Sequence, residues 1–523
     1  MSDLAELRAS ARRSVQLQEW MNVEHCAAEL LRRNPRDPEG HFLAGLSEKA
    51  AGRTHRAVER FERALALDPE RYDAAVELAD QYSATARHPE AFALLRRYEA
   101  SLDNSPRYLD LAGRVYARIG IHERAWPLHR RANELQPGVP SIMANLAASS
   151  VKMARFAEAL ELYQELLRRM PGHQRNHYEL SRLRQATGDS HVNQMKALLE
   201  TSGLPPERNI YLYYAIGKEL EDLECWDEAF EYYRKAGDAA TSISDYDVGQ
   251  DVALIEKVME ACNPTWLAVG AASKKPMRAH KTPIFIVGLP RTGTTLAERI
   301  LSSHSRVESI GETMQVPATL CRLSGVSAAN EISAAIVDRV AHVDAELLAT
   351  GYFRSVRHRL GDKPMFIEKY PENFTFLGFI SRAWPDAKLL YLRRNPLDAC
   401  FALYKQSYFR YAYTLENLGR YYVAHDRLLH HWRSVLGHRL IELQYESLVF
   451  DQEASTHRLL TALDLDFESA CLHFEANPAA SATASSVQVR QPMHAHSVGR
   501  WRHFEAQLRP LRKILEDAGI RIE

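Results

Sequence analysis

Cysteine is scarce, with six in 523 residues at positions 26, 225, 262, 321, 400 and 471. None forms a Cys-x-x-Cys pair, which removes the usual zinc and dithiol patterns and suits a chain kept reduced. Long hydrophobic runs are missing as well. The longest, around Ile284–Leu289 and Leu389–Leu392, fall far short of the ~20 residues that cross a bilayer. The opening residues are polar and charged, so no secretory signal core is expected and the chain reads as soluble and cytoplasmic. Net charge is nearly absent, because 66 Lys and Arg face 67 Asp and Glu, leaving −1. That balance excludes a polybasic face for nucleic acid or membrane, yet leaves room for a local basic pocket. There is no Gly-x-Ser-x-Gly nucleophile elbow. His494-Ala-His496 and His430-His431 lack a carboxylate or cysteine at ligand spacing, so no metal is expected.

What the sequence does contain is, first, a period. Pro35, Pro69, Pro137 and Pro171 are spaced by 34, 68 and 34 residues. The missing member, position 103, is Asp, with Pro106 just beyond. In the same register stand the small residues Gly45, Ala79, Gly113, Ala147 and Gly217, and twelve residues after each come Ala57, Ala91, Ala125, Ala159 and Ala229. Phe61, Tyr82, Tyr116, Tyr163 and Tyr233 supply bulk nearby. Small side chains let paired helices approach, large ones fill the groove between pairs, and the proline stops the second helix. A 34-residue unit of this kind resembles the tetratricopeptide repeat. The resemblance implies an all-α solenoid over residues 1–243, with 1–34 an imperfect first unit and 174–207 degenerate. Such arrays present a surface to a protein or peptide, which is the partner expected here. Residues 244–280 read as a helix near Val248–Cys262 followed by a linker patch, Ala271-Ala-Ser-Lys-Lys-Pro276.

The pattern changes at 281–523. Pro283-Ile-Phe-Ile-Val-Gly288 has the β-branched, apolar look of a buried strand. It runs into Gly288-Leu-Pro-Arg-Thr-Gly-Thr-Thr295 and then a helix with Leu296, Ile300 and Leu301 on one face. Strand, glycine loop and helix together aim backbone N–H groups at an anion. Gly288 and Gly293 match G-x-x-x-x-G, but Thr294 stands where a nucleoside-triphosphate loop has Lys. Arg291 offers a cation inside the loop instead. The expected ligand is a nucleotide with a short 5′ chain rather than ATP with magnesium, and kinase-like phosphoryl transfer fails on the absent lysine.

Pro290-Arg-Thr-Gly-Thr-Thr-Leu296 resembles the loop of sulfotransferases, in particular tyrosylprotein sulfotransferases and bacterial fusions of tetratricopeptide repeats to a sulfotransferase domain. The resemblance implies a multidomain chain, with the repeat solenoid followed by an α/β P-loop-like domain built on a central parallel sheet. It implies that Pro290, Arg291, Thr292, Gly293, Thr294, Thr295 and Leu296 bind the 5′-phosphosulfate of 3′-phosphoadenosine 5′-phosphosulfate (PAPS). The product would be adenosine 3′,5′-bisphosphate, with no metal involved. Glu312, 21 residues beyond Arg291 in Ser309-Ile-Gly-Glu-Thr313, falls on the family's general base. Lys369, in Met365-Phe-Ile-Glu-Lys-Tyr-Pro-Glu-Asn373, falls on the lysine that neutralises charge on the departing group, a role Arg291 shares.

Lys388-Leu-Leu-Tyr-Leu-Arg-Arg394-Asn-Pro reads as another strand and phosphate-type turn. Arg394 matches a family ligand of the 3′-phosphate, while Arg393 is expected to be structural. Asn395 replaces the family's Asp, and Ala402 stands where a Ser should contribute a hydroxyl. A lost hydrogen bond to a charged phosphate costs ~1.5–3 kcal/mol. Arg439-Leu-Ile-Glu-Leu-Gln-Tyr445-Glu resembles the family's next strand and Tyr-Glu turn, with Tyr445 a support for the site or a packed strand end. Ser485, Ser486 and Arg500 match cofactor-contacting positions in the closing segment. The basic run Arg354, Arg357, His358 and Arg359 is a solvated face by default and an acceptor-recognition element as the sharper reading. The alternative to an enzyme is a non-catalytic nucleotide-binding scaffold that recruits partners through its repeats. Only Ala402 favours it, and the presence of Glu312 and Lys369 opposes it.

Overall fold

The computed structural model describes residues 2–102, 104–272, 281–326, 332–483 and 485–522. Position 103 and the linker residues 273–280 lie outside these. The chain divides into two compact units, one formed by residues 1–149 with 355–358, the other by 150–354 with 359–523. The division falls inside the helix Pro140–Lys152, so the later repeats share a unit with the sheet. A repeat array ending at 243 in sequence is thus not one compact body.

The first unit is built of helix pairs, among them Pro38–Ala50 with Thr54–Leu67 and Pro106–Arg118 with His122–Leu135. Pro35, Pro69, Pro137 and Pro171 each follow, by two residues, the end of a helix. Packing explains the small residues. A Cβ on Gly45 would lie 2.5 Å from the Phe61 ring, and one on Gly113 would lie 2.7 Å from the His129 ring. Ala57, Ala91 and Ala125 are fully buried, as are the rings of Phe61 and Tyr116. The turn within each pair also keeps the period. Gln18, Gly52, Ala86, Gly120 and Ala154 all have positive φ, each 34 residues after the last. The helices Ser2–Leu17 and Trp20–Arg33 therefore form a first unit in full register, with Gln18 at the turn.

In the second unit the repeat logic continues through Ile210–Asp222 and Trp226–Ser242, where a Cβ on Gly217 would lie 2.8 Å from the Tyr233 ring. The degenerate stretch keeps its pair in shortened form, Gln174–Leu183 and Ser190–Ser202. Beyond it lies a five-stranded, all-parallel sheet: β1 Thr282–Gly288, β2 Val307–Ser309, β3 Met365–Glu368, β4 Lys388–Arg393 and β5 Leu440–Gln444. The order is β2-β3-β1-β4-β5, with Ile284 opposite Ile367 and Ile286 opposite Leu390. β1 is buried from Pro283 to Gly288, as a strand covered on both faces must be. The chain leaves β1 towards one edge and later fills the other, which opens a crevice at the carboxyl ends of the strands. Among the described residues, no helix is long and apolar enough to cross a membrane.

Candidate active site

Four of the residues singled out in the sequence stand one to three positions after a strand's carboxyl end. Arg291 follows β1, Glu312 follows β2, Lys369 follows β3 and Arg394 follows β4. Parallel register thus brings together groups that are far apart in sequence. Arg291, Glu312 and Arg394 border a cavity of about 1100 Å³ whose walls also include Pro290, Gly293, Thr294, Thr295, Leu296, Ser485 and Arg500. Ala402 and Tyr445 line it as well.

The glycine loop is shaped by close approach. Gly288 has φ +136° and a Cβ there would sit 2.5 Å from the Leu392 carbonyl oxygen of the neighbouring strand. Gly293 has φ +98°, caps the helix Thr294–Ser302, and would put a Cβ 2.6 Å from the Tyr445 ring. Arg291 itself lies in the left-handed region at φ +69°, a strained conformation for a residue with a side chain. Its guanidinium donates to the Ser485 hydroxyl and, at 3.1 Å, to Gln488 Oε1, joining the loop to the closing segment. Burial, with Arg394 and Arg182 nearby, holds this guanidinium below its ordinary pKa. Arg394 donates to the Arg291 carbonyl at 2.9 Å and to the Ser497 carbonyl, and it stacks 4.8 Å from the Tyr445 ring centre. The Nε atoms of Arg291 and Arg394 are buried with no hydrogen-bond partner among the described residues. Two orphaned cationic donors beside a helix N-terminus fit the anionic groups of a nucleotide.

Lys369 is wholly buried. Its ammonium donates to Glu312 and lies 3.6 Å from Glu298 Oε2. Glu312 faces the cavity with its side chain 38% exposed, so it is accessible where Lys369 is not. Three of the expected residues do not line the cavity. These are Lys369, Thr292, whose hydroxyl donates to the Leu289 carbonyl at 2.7 Å, and Ser486, which is buried. Arg500 reaches the cavity but is engaged, its Nε donating to Glu221 at 3.0 Å. Arg393 points away and pairs with Glu442 at 3.5 Å. The Tyr-Glu turn is the start of a helix, Tyr445–Phe450.

Several supporting residues escaped the sequence reading. Glu368 is fully buried, and burial pushes its carboxyl up to about 7 although Tyr352, Thr313 and Asn373 all donate to it. It thereby ties down the segments that carry Glu312 and Lys369. Glu298 accepts from Ser309 at 2.6 Å and flanks Lys369. Asp398 accepts the backbone N–H groups of Gly499 at 2.6 Å and Trp501 at 3.1 Å, anchoring the closing segment. Asn395 caps the helix Pro396–Tyr404 by accepting from Leu397 and Asp398, and its amide nitrogen also donates to the Ile522 carbonyl, a bond an Asp carboxylate could not make. Repeat residues enter the cavity wall too: Lys152, Tyr178, Arg182 and Glu221. Burial, with Arg182 next, depresses the Lys152 ammonium, which donates to the Ala482 carbonyl at 3.2 Å. Among the described residues, no cluster of three His, Cys, Asp or Glu side chains could hold a metal.

A parallel sheet, a lysine-free phosphate-type loop and a buried lysine paired with a cavity-facing carboxylate define an α/β domain suited to handling an anionic group. Comparison with known proteins sharpens that class. Residues 283–469 match the model of the sulfotransferase family, and residues 49–115 match a tetratricopeptide repeat model. Both resemblances read from the sequence are borne out. An uncharacterised protein of Aquifex aeolicus is 26% identical over 433 residues, 80% of this chain and 56% of that protein. Protein-tyrosine sulfotransferase 2 of Gallus gallus is 24% identical over 235 residues, 42% of this chain and 62% of its own length. The chain thus spans less than two thirds of either relative. A solved sulfotransferase domain from the curacin biosynthetic pathway aligns over 46% of this chain and 99% of its own, at 15% identity and a TM-score of 0.33.

Proposed function

We propose that this protein transfers a sulfuryl group from PAPS to a hydroxyl, on a protein or peptide acceptor brought by the repeats, in the cytoplasm. The reading rests above all on one observation: Glu312, paired with buried Lys369, borders the same cavity as Arg291 and the lysine-free loop. The donor would supply an activated sulfuryl group. Loop amides, shaped by Pro290, Thr292, Gly293 and Leu296, would hold its 5′-phosphate together with Thr294 and Thr295. Arg394 and Arg500 would hold the 3′-phosphate, and Ser485, next to Ser486 in the chain, would steady Arg291. Glu312 would take the proton of the acceptor hydroxyl as it attacks sulfur, and Lys369 and Arg291 would neutralise charge on the departing oxygen. The loose transition state of such transfers makes position and fixed charge the main contributions.

The acceptor class follows the printed name of the Gallus gallus relative and the peptide-binding habit of repeat arrays. In domain terms, residues 1–243 would serve as the partner-binding array, 244–280 as the connection and 281–523 as the transferase. Calorimetry tests the donor. Adenosine 3′,5′-bisphosphate should bind with clear heat, and ATP should bind at least about tenfold more weakly, since no loop lysine meets its outer phosphates. A preference for ATP would sink the reading.

A further inference from the structure

Arg500, matched by its sequence to a 3′-phosphate contact, already has an anion. Glu221, near the end of the repeat helix Ile210–Asp222, is almost wholly buried and accepts four hydrogen bonds. Lys405 donates to both its oxygens, at 2.8 and 2.9 Å, Arg500 Nε donates at 3.0 Å, and the Tyr233 hydroxyl donates at 2.8 Å. The Arg500 guanidinium also lies 4.8 Å from the centre of the Trp226 ring. Glu221, Trp226 and Tyr233 all belong to the last repeat, whereas Lys405 and Arg500 belong to the sheet domain. All three charged groups face the cavity, beside Arg394 and Ala402.

The position of Lys405 bears on the missing hydroxyl. It follows the helix Pro396–Tyr404 by one residue and stands three residues after Ala402, close to one helical turn. An ammonium therefore stands near the place where the resemblance calls for a serine. Two cations and one carboxylate leave the cluster with a single net positive charge. A phosphate dianion brought to it meets attraction from Lys405 and Arg500 and repulsion from Glu221.

We infer that Glu221 is a tethered competitor of the donor's 3′-phosphate for Lys405 and Arg500, and so sets how strongly the site prefers a 3′-phosphorylated nucleotide. The inference rests on the sulfotransferase reading of the cavity. Burial opposes the charge on Glu221, but Lys405 and Arg500 outweigh it and hold the carboxyl below its ordinary pKa, so the competitor is ionised. Because binding free energies are reciprocal, the same contact makes nucleotide occupancy loosen the last repeat's hold on the sheet domain.

The test is the ratio of affinities for adenosine 3′,5′-bisphosphate and adenosine 5′-monophosphate, measured by calorimetry on the full chain. E221Q should raise the affinity for the bisphosphate at least about tenfold and leave that for the monophosphate within about twofold, because only the first meets the freed cations. K405M should lower the bisphosphate affinity by a similar factor and spare the monophosphate. A folded E221Q protein with an unchanged or smaller ratio overturns the inference, since a carboxylate that merely positions the cations would act in that direction. If E221Q loses its cooperative melt, a folded K405M protein with an unchanged ratio overturns it equally. The wild type provides a reading free of substitutions. The bisphosphate, unlike the monophosphate, should speed amide exchange in residues 210–222, and unchanged or slower exchange there counts against competition. A wild type that binds neither nucleotide would instead bring down the sulfotransferase reading itself.

Discussion

Glu368 offers a quantitative test of how the site is held. Its carboxyl is fully buried and titrates near 7, where an exposed glutamate would titrate at 4.5. A rise of this size, at 1.36 kcal/mol per unit, amounts to about 3 kcal/mol. Below pH 4.5 the group is protonated in both the folded and the unfolded chain, and the term is absent. As pH rises from 4.5 towards 7, the unfolded chain loses its proton first, so folded stability falls by about 3 kcal/mol and then levels off. Replacing Glu368 with Gln removes this dependence, because the amide does not titrate. The variant loses some of the hydrogen bonds from Tyr352, Thr313 and Asn373, which adds an offset that does not vary with pH. The prediction therefore concerns the slope: relative to wild type, Glu368→Gln gains about 2.5 kcal/mol between pH 5 and pH 8. Native-state hydrogen exchange at the amides of β3 reads the local opening free energy, and comparison at each pH cancels the intrinsic exchange rate. A difference that stays constant within about 1 kcal/mol over that range would refute the argument that burial dominates at Glu368.

Three further outcomes follow from packing and backbone geometry. Gly293→Ala should weaken binding of adenosine 3′,5′-bisphosphate at least about tenfold by calorimetry, since φ +98° and the Tyr445 ring leave no place for a methyl group. Gly45→Val should cost about 1–3 kcal/mol in local opening at Thr54–Leu67 by hydrogen exchange, because the Phe61 ring fills the space. Ala154→Gly should instead stabilise its helix pair by about 0.5 kcal/mol, the relief of a left-handed alanine less the extra freedom of glycine when unfolded.

Features set by local chemistry were legible in the sequence. The 34-residue period was visible because close helix packing demands Gly or Ala at fixed offsets, and the structure extends it to Gln18 by backbone conformation alone. β1, its glycine loop and the helix after it were readable because an apolar run and two glycines leave few alternatives. The strand ends carrying Glu312, Lys369 and Arg394 were readable only through a resemblance, as nothing local says that parallel strands will align them. Partners supplied from afar were not visible. Glu298 beside Lys369, Asp398 beneath the closing segment and Glu221 against Arg500 look like ordinary charged helix residues until long-range packing buries them. The same packing explains why the compact units divide at 149/150 rather than at the end of the repeats: repeat side chains such as Tyr178, Arg182 and Glu221 line the sheet domain's cavity.

The central claim is that Glu312 serves as the base in a sulfuryl transfer fed by PAPS. Radiolabelled PAPS incubated with a cell lysate and the full chain, wild type or Glu312→Ala, tests it most directly. The account predicts label transferred to acceptor by the wild type and a loss of at least about a hundredfold in the variant, the scale of a missing general base, with adenosine 3′,5′-bisphosphate still bound by both. Equal labelling by the two proteins, or none by a wild type that binds the bisphosphate, would contradict it.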